Sequence, residues 1–299
     1  VHARRPLSDW LLLGVLALVW GTAFTFTKTA LHSVPPASIV AGRVTVAAVV
    51  LLALVKGTGL AFPRERAVWS SIVAMALFGT ALPFFLVTWG QGAIDSGLAG
   101  VLMAVMPLAT LVLAHFYVAQ ERMSIRSAVG FVLGFFGIVF LMGPDVLLEF
   151  GGSASTLAHQ LAVLSGAICY AINTIIARRI PPTPSLVVAA GVMAVSALAM
   201  VPLALWIDRP WGLVVAPVDA MCVVYLGLSA TALAETVYFR VIASSGATFV
   251  SLMNYLIPLV AVFAGIAVLG EEPGWHVAVA LALILAGVGI SQWRTVGAA

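Results

Sequence analysis

Glu235 is the deepest carboxylate in a long apolar stretch, and Tyr238 stands three positions on, a spacing that puts both side chains on one helical face. An ionisable group in such surroundings is costly and normally faces a partner or water. Three readings follow: an ion pair with Arg43 or Arg240, a site for a coupling proton, or a contact for the ammonium group of a substrate. Arg43 lies eight residues into its own apolar stretch and needs a carboxylate or a helix end, whereas Arg240 and Lys28 lie nearer to stretch ends, where a long stem can snorkel outward. Two amides raise the same question: Asn173, one turn from Tyr170, and Asn254, four residues before Pro258. An amide in hydrocarbon either bonds a neighbouring helix, at roughly 1 kcal/mol, or serves a substrate carboxylate or ammonium. Trp20 stands about ten residues (~15 Å) from either end of its stretch. Lipid-facing Trp prefers the interface, so this ring packs between helices or, with Tyr170, sandwiches an apolar substrate side chain. The sequence carries no phosphate-cradling loop, metal-ligand cluster or nucleophile elbow, and the reading is of a non-enzyme without cofactor or metal.

The chain around these residues has 299 positions, 63% hydrophobic and 8% charged. Soluble domains carry about 25% charged residues, so a water-facing surface cannot be covered and the bilayer must be the main solvent. Disordered chains are polar and are excluded as well. A barrel would alternate over ten-residue stretches; here the apolar runs are continuous. Cys169 and Cys222 fall inside such runs and read as small packing residues. The first apolar run is too long for a signal-peptide core and reads as a spanning helix.

A spanning helix takes about 20 residues. Charges, prolines and glycines divide the chain into ten spans, about 8–31, 36–56, 67–91, 96–119, 125–144, 157–179, 184–207, 219–243, 246–269 and 275–295. Cytoplasmic loops hold the excess of Lys and Arg. With the N-terminus inside, Arg4, Arg5, Lys56, Arg64, Arg66, Arg122, Arg126, Arg178, Arg179 and Arg294 all fall on the cytoplasmic side, and only Arg209 falls in an external loop. Asp95, Asp145, Glu149, Asp208, Asp219, Glu271 and Glu272 fall outside. The expectation is an all-α membrane protein of ten transmembrane helices with both termini cytoplasmic. Its basic loops suit anionic lipid, not nucleic acid.

The halves resemble one another. Ser96–Leu113 aligns with Ala247–Ala264; Pro107 corresponds to Pro258 and Glu121 to Glu272 at an offset of 151, and Trp20 falls on Tyr170 at an offset of 150. Each half, 1–150 and 151–299, then holds five helices. An odd number forces the second to insert upside down, giving two inverted five-helix repeats. Inverted repeats build transporters whose substrate lies near the midplane.

Trp20-Gly21 with Lys28, Arg43 in the second span, and the Pro107…Glu121 and Pro258…Glu272 pairs resemble the EamA family of the drug/metabolite transporter superfamily. The resemblance runs over about 10–295 and is strongest to bacterial inner-membrane exporters of aromatic and neutral amino acids. It implies ten helices in inverted repeats, export of small metabolites, and a central cavity lined by the first, third, fourth, sixth, eighth and ninth spans. Trp20, Tyr170, Asn173, Glu235, Tyr238 and Asn254 all lie on those spans. The halves are not chemically equivalent, because Val192 stands near the place matching Arg43.

Pro107 and Pro258 remove a backbone hydrogen bond within their spans and are expected to act as hinges for alternating access without ATP hydrolysis. Gly130 and Gly134, and the small-residue series Ala278, Ala282, Ala286, would let helices approach closely, within the bundle or in a dimer, though a monomer suffices. The expected partners are a small-molecule substrate, lipid and, on the coupling reading of Glu235, protons. A broad drug/metabolite efflux or uptake permease is the alternative within transport. An intramembrane enzyme and a channel are the alternatives outside it.

Overall fold

The computed structural model describes residues 7–94, 99, 102–103, 105–117, 124–142 and 153–250, and beyond these 253, 256–257, 260, 279, 282–287 and 290. Among the described residues every regular element is helical: α1 Leu7–Ala30, α2 Pro36–Gly57, α3 Arg66–Gln91, α4 Met106–Tyr117, α5 Ile125–Met142, α6 Ala154–Arg179, α7 Ser185–Ile207, α8 Pro217–Ser245 and the short α9 Ala247–Val250. Six of these are long and apolar enough to cross a bilayer, and two shorter apolar helices lie between them, among the described residues. The protein is an all-α membrane protein.

Local chemistry sets the ends. Prolines at the first turn open α2 and α8, where the missing N–H would have no helical partner. Ser153 caps α6 by accepting from the Thr156 amide at 3.2 Å. Lys28 donates from its ammonium to the Gln91 carbonyl at 2.8 Å and the Ile94 carbonyl at 3.5 Å, placing a cation at the carbonyl end of α3. Large apolar side chains such as Leu198, Trp206, Phe116 and Ile125 remain exposed, as a lipid-facing shell requires.

The long helices pack in a reciprocal pattern. α2 and α7 form the central pair; α1 lies on α8 as α6 lies on α3, and α2 lies on α8 as α7 lies on α3. At one end, the acidic end, Ser33 bonds Asp219 and the Ser38 amide bonds Asp208, while Trp89 at the end of α3 stacks on His159 near the start of α6 at 3.9 Å. At the other end, the basic end, Asp9 takes hydroxyl bonds from Ser244 and Ser245, and Arg178 crosses the chain at Gly246. The partners in α1 and α8, and in α3 and α6, are therefore antiparallel.

The close approach expected of Gly130 and Gly134 is found inside the chain: a Cβ on Gly287 would lie 2.5 Å from the Gly130 carbonyl oxygen and 2.7 Å from the Gly134 nitrogen. Gly287, rather than the alanine series, makes this approach. Ala282 and Ala286 are exposed, and Ala278 lies outside the described residues. Cys169 and Cys222 are free and buried.

Two helices contain a wider turn. α3 passes through a π-helical turn at Leu77–Ala81 and α8 through another at Leu228–Leu233. Such turns release backbone carbonyls from the helical ladder and are common at functional sites. The sequence signal for them is a Thr-Ala-Leu tripeptide, 80–82 and 231–233, repeated at an offset of 151; the expectations above do not include it.

Candidate functional site: a mid-depth cavity between the halves

A cavity of about 110 Å³ lies where α1, α2, α3, α6 and α8 converge with Met103, Met106, Met253 and Ile257. Its lining begins at mid-depth with Trp20, Tyr170, Asn173, Glu235 and Tyr238 and continues toward the acidic end through Phe24, Thr27, Thr88 and Gln91. Toward the basic end, Leu13, Leu16, Ile242, Phe249 and Val250 are all buried. A single water needs about 10–15 Å³ by this kind of measure, so the space exceeds what a lone solvent molecule fills.

The aromatic residues are held by specific contacts. Trp20 donates its indole N–H to the Ala230 carbonyl at 2.9 Å, a carbonyl of the π turn in α8, and its ring lies 5.7 Å from that of Tyr238. The Tyr238 hydroxyl shares a hydrogen bond with Thr174 at 3.1 Å, and Thr174 donates to the Tyr170 carbonyl at 2.8 Å. Tyr170 in turn faces Phe84 across 6.3 Å. Trp20 and Tyr170 thus each lie against a ring of another helix, while both border the same space.

Arg43 is 6% exposed, and the groups in direct contact with it are neutral. It donates from Nε to the Thr231 hydroxyl at 3.1 Å and from Nη2 to the Ala230 carbonyl at 3.5 Å, and its guanidinium lies 3.8 Å over the Phe84 ring, a favourable cation–π geometry. Thr231 completes the arrangement by donating to the Leu226 carbonyl at 2.8 Å. The π turn therefore supplies both the hydroxyl and the carbonyl that hold the arginine.

Glu235 is 5% exposed and borders the cavity. Among the described residues no group donates a hydrogen bond to it or forms an ion pair with it. Neither Arg43 nor Arg240 forms an ion pair in direct contact with it: Arg43 is held by the π turn and attracts Glu235 only through space, and Arg240 is exposed outside the cavity lining. Asn173 and Gln91 each keep one buried side-chain oxygen without a hydrogen-bond partner among the described residues. The Asn173 amide packs so close to Gly79, in the π turn of α3, that a Cβ there would lie 2.5 Å from the Asn173 Cγ.

The cavity thus brings together Trp20, Tyr170, Asn173, Glu235 and Tyr238, with Arg43 beside them. Asn254 and Pro258 lie outside the described residues. Pro107 is buried in the first turn of α4, next to the lining residue Met106, and helical conformation is interrupted at Val105 just before it. Proline has no N–H to give to a preceding turn and is tolerated in the first turn of a helix, which fits a helix that starts afresh at Met106. Phe84, Thr88 and Gln91 were not among the expected site residues. Of these only Gln91, an amide at the end of an apolar span, carries a visible signal.

Comparison with known proteins gives the family. Among curated relatives, an uncharacterized transporter of Bacillus subtilis is 29% identical over 56% of this chain and 56% of its own length, so that match spans little more than half of the relative. A probable terminal-alkyne amino-acid exporter of Streptantibioticus cattleyicolor is 28% identical over 96% of this chain and 94% of its own. A solved crystal structure shares the fold, with a TM-score of 0.79 at 20% identity, covering 96% of this chain and 99% of the other. The model of the EamA-like transporter family matches twice, over residues 8–143 and 158–292, and with both halves matched the chain belongs to that family.

Proposed function

We propose that this protein exports small amphipathic metabolites, neutral and aromatic amino acids foremost, across the bacterial inner membrane by alternating access and without ATP hydrolysis. The observation that carries the reading is the cavity itself. It lies at mid-depth, is bordered by helices of both matched halves, and sets Glu235 and Arg43 among the rings of Trp20, Phe84, Tyr170 and Tyr238. An amino acid has an ammonium group for Glu235, a carboxylate for polar donors beside it, and a side chain for the rings. A sugar phosphate would call for several deep basic residues, and Arg43 is the one basic residue bordering the cavity among those described. The relative from Streptantibioticus cattleyicolor is named an amino-acid exporter, which favours the same substrate class.

The two halves, 1–150 and 151–299, are read as inverted five-helix repeats with both termini cytoplasmic. The reciprocal packing of α1 on α8 and α6 on α3 supports this. On that orientation the acidic end is external and the cavity extends outward, with Pro107 and Pro258 as hinges for the opposite state. Proteoliposome assays with labelled phenylalanine, leucine and alanine, with and without a pH gradient, test the reading. Saturable transport of at least one supports it; transport of none overturns the substrate class. PH dependence that survives Glu235→Gln unchanged removes Glu235 as the coupling site.

A further inference from the structure

We propose that the cavity recognises its substrate through the protonated amine, and that the substrate carboxylate is dispensable, so that hydrophobic primary amines are ligands alongside amino acids. The inference rests on the transport reading above and narrows what the site demands of its cargo.

The two buried charges differ in what they have left to offer. Of the two N–H edges through which Arg43 could hold a carboxylate, one is engaged: Nε by the Thr231 hydroxyl at 3.1 Å and Nη2 by the Ala230 carbonyl at 3.5 Å. One face of the guanidinium is covered by Phe84 at 3.8 Å. A substrate carboxylate would have to displace these contacts or settle for what remains of the group. Two further donors at mid-depth are also engaged, the Trp20 indole by Ala230 and the Tyr238 hydroxyl by Thr174, which leaves a carboxylate the Tyr170 hydroxyl and the Asn173 amide nitrogen on the lining, both neutral groups. Glu235 is in the opposite position. It is buried, borders the cavity, and has no hydrogen-bond or ion-pair partner among the described residues. Arg43 attracts it through space without touching it; a buried charge is best held by a partner in direct contact, and the partner that a carboxylate in this position accepts is a cation. Asn173, 5% exposed and also on the cavity wall, leaves its Oδ1 without a donor. An ammonium group offers three donors and no acceptor, which fits this pair, and the rings of Trp20 and Tyr238 suit a cation with an apolar body.

A matched ligand series decides it: L-phenylalanine, phenethylamine and 3-phenylpropionate share one ring and differ in which charged groups they carry. Binding to the full chain in lipid nanodiscs is read by competition against labelled ligand and by fluorescence of Trp20, with the Trp20→Phe protein as the blank. Phenethylamine is expected to bind within about tenfold of phenylalanine, a difference of ~1.4 kcal/mol. 3-Phenylpropionate is expected to bind at least ~30-fold more weakly, and Glu235→Gln to cost both amines ~30-fold or more, as for a charge pair with one partner removed. Binding of phenylalanine and the acid without the amine overturns the inference and leaves the amino-acid reading standing. Binding of phenethylamine without phenylalanine supports the inference and overturns the amino-acid reading. Equal binding of all three, or binding of none, overturns the inference. The series on the unaltered protein needs no variant to fold.

Discussion

Thr80 and Thr231 stand 151 positions apart at matching places in the two π-helical turns, but their hydroxyls have different fates. Thr231 accepts from Arg43 and donates to the Leu226 carbonyl. The Thr80 hydroxyl, fully buried, has no hydrogen-bond partner among the described residues. The difference follows from the second helix of each half. Arg43 on α2 reaches the turn in α8, while α7 offers no arginine and instead sends Ser196 to the Ala76 carbonyl at 3.3 Å.

One substitution made in both halves should therefore give unequal results. Thr231→Val removes the Arg43 partner and leaves a buried charged donor less satisfied, at a cost of about 1–3 kcal/mol. Thr80→Val replaces an unpartnered hydroxyl with a methyl of similar volume and should be neutral or mildly stabilising. Thermal unfolding in detergent, followed by tryptophan fluorescence, measures both. Equal losses would mean that the hydroxyl of Thr231 does not hold Arg43.

Trp20 offers a separation of ring from N–H. Trp20→Phe keeps an aromatic surface beside Tyr238 but gives up the bond to the Ala230 carbonyl. Interhelical hydrogen bonds in membranes average about 0.6 kcal/mol, so a small loss of stability is expected, with phenylalanine binding changed by less than about threefold. Trp20→Ala removes the ring as well and should weaken binding by about tenfold or more, as a calorimetric or competition titration would show. Unaltered affinity in Trp20→Ala would remove the ring from substrate recognition.

Much of this architecture was legible in the residues. Apolar runs bounded by proline and charge gave spans 36–56 and 184–207, against Pro36–Gly57 and Ser185–Ile207 in the structure. A tryptophan far from any interface pointed inward, and Trp20 does border the cavity. The partner of Arg43 was not legible. A π turn adds one residue to a single turn and leaves the apolar pattern nearly intact, so periodicity does not reveal the carbonyl it frees. Asp9 was overlooked for a different reason: beside a basic terminal segment it reads as a solvated charge, and its partners lie about 235 positions away.

Packing of α5 gives a prediction independent of the cavity. Gly287→Val would force a side chain against the Gly130 and Gly134 backbone, which cannot rotate away. Overpacking of this kind costs about 1–3 kcal/mol or more. The neighbouring Ala286 is exposed, and Ala286→Val should stay within about 0.5 kcal/mol of the parent. The pair, compared by thermal unfolding, separates a buried helix contact from a lipid-facing surface. Losses of the same size would place Ala286 in a contact as well.

At the basic end, buried Asp9 accepts from Ser244 at 2.9 Å and Ser245 at 2.5 Å. At the acidic end Ser33 donates to buried Asp219 at 2.5 Å and accepts from the Ala216 amide at 3.1 Å. The antiparallel helices α1 and α8 are thus tied at both ends by the same two residue types. They should move as one body against α3 and α6 in any change of access. Replacing both Ser244 and Ser245 with alanine leaves the Asp9 carboxylate buried without these donors and loosens the tie at the basic end only. Leu13, 0% exposed behind it, reports the effect. With Cys169 and Cys222 changed to serine, a Leu13→Cys protein should label slowly with a polar thiol reagent. The double alanine change should raise that rate about tenfold or more, the equivalent of ~1.4 kcal/mol of opening. Restoring either serine alone should recover part of the protection. An unchanged rate would show that apolar packing, and not the Asp9 bonds, keeps this end closed.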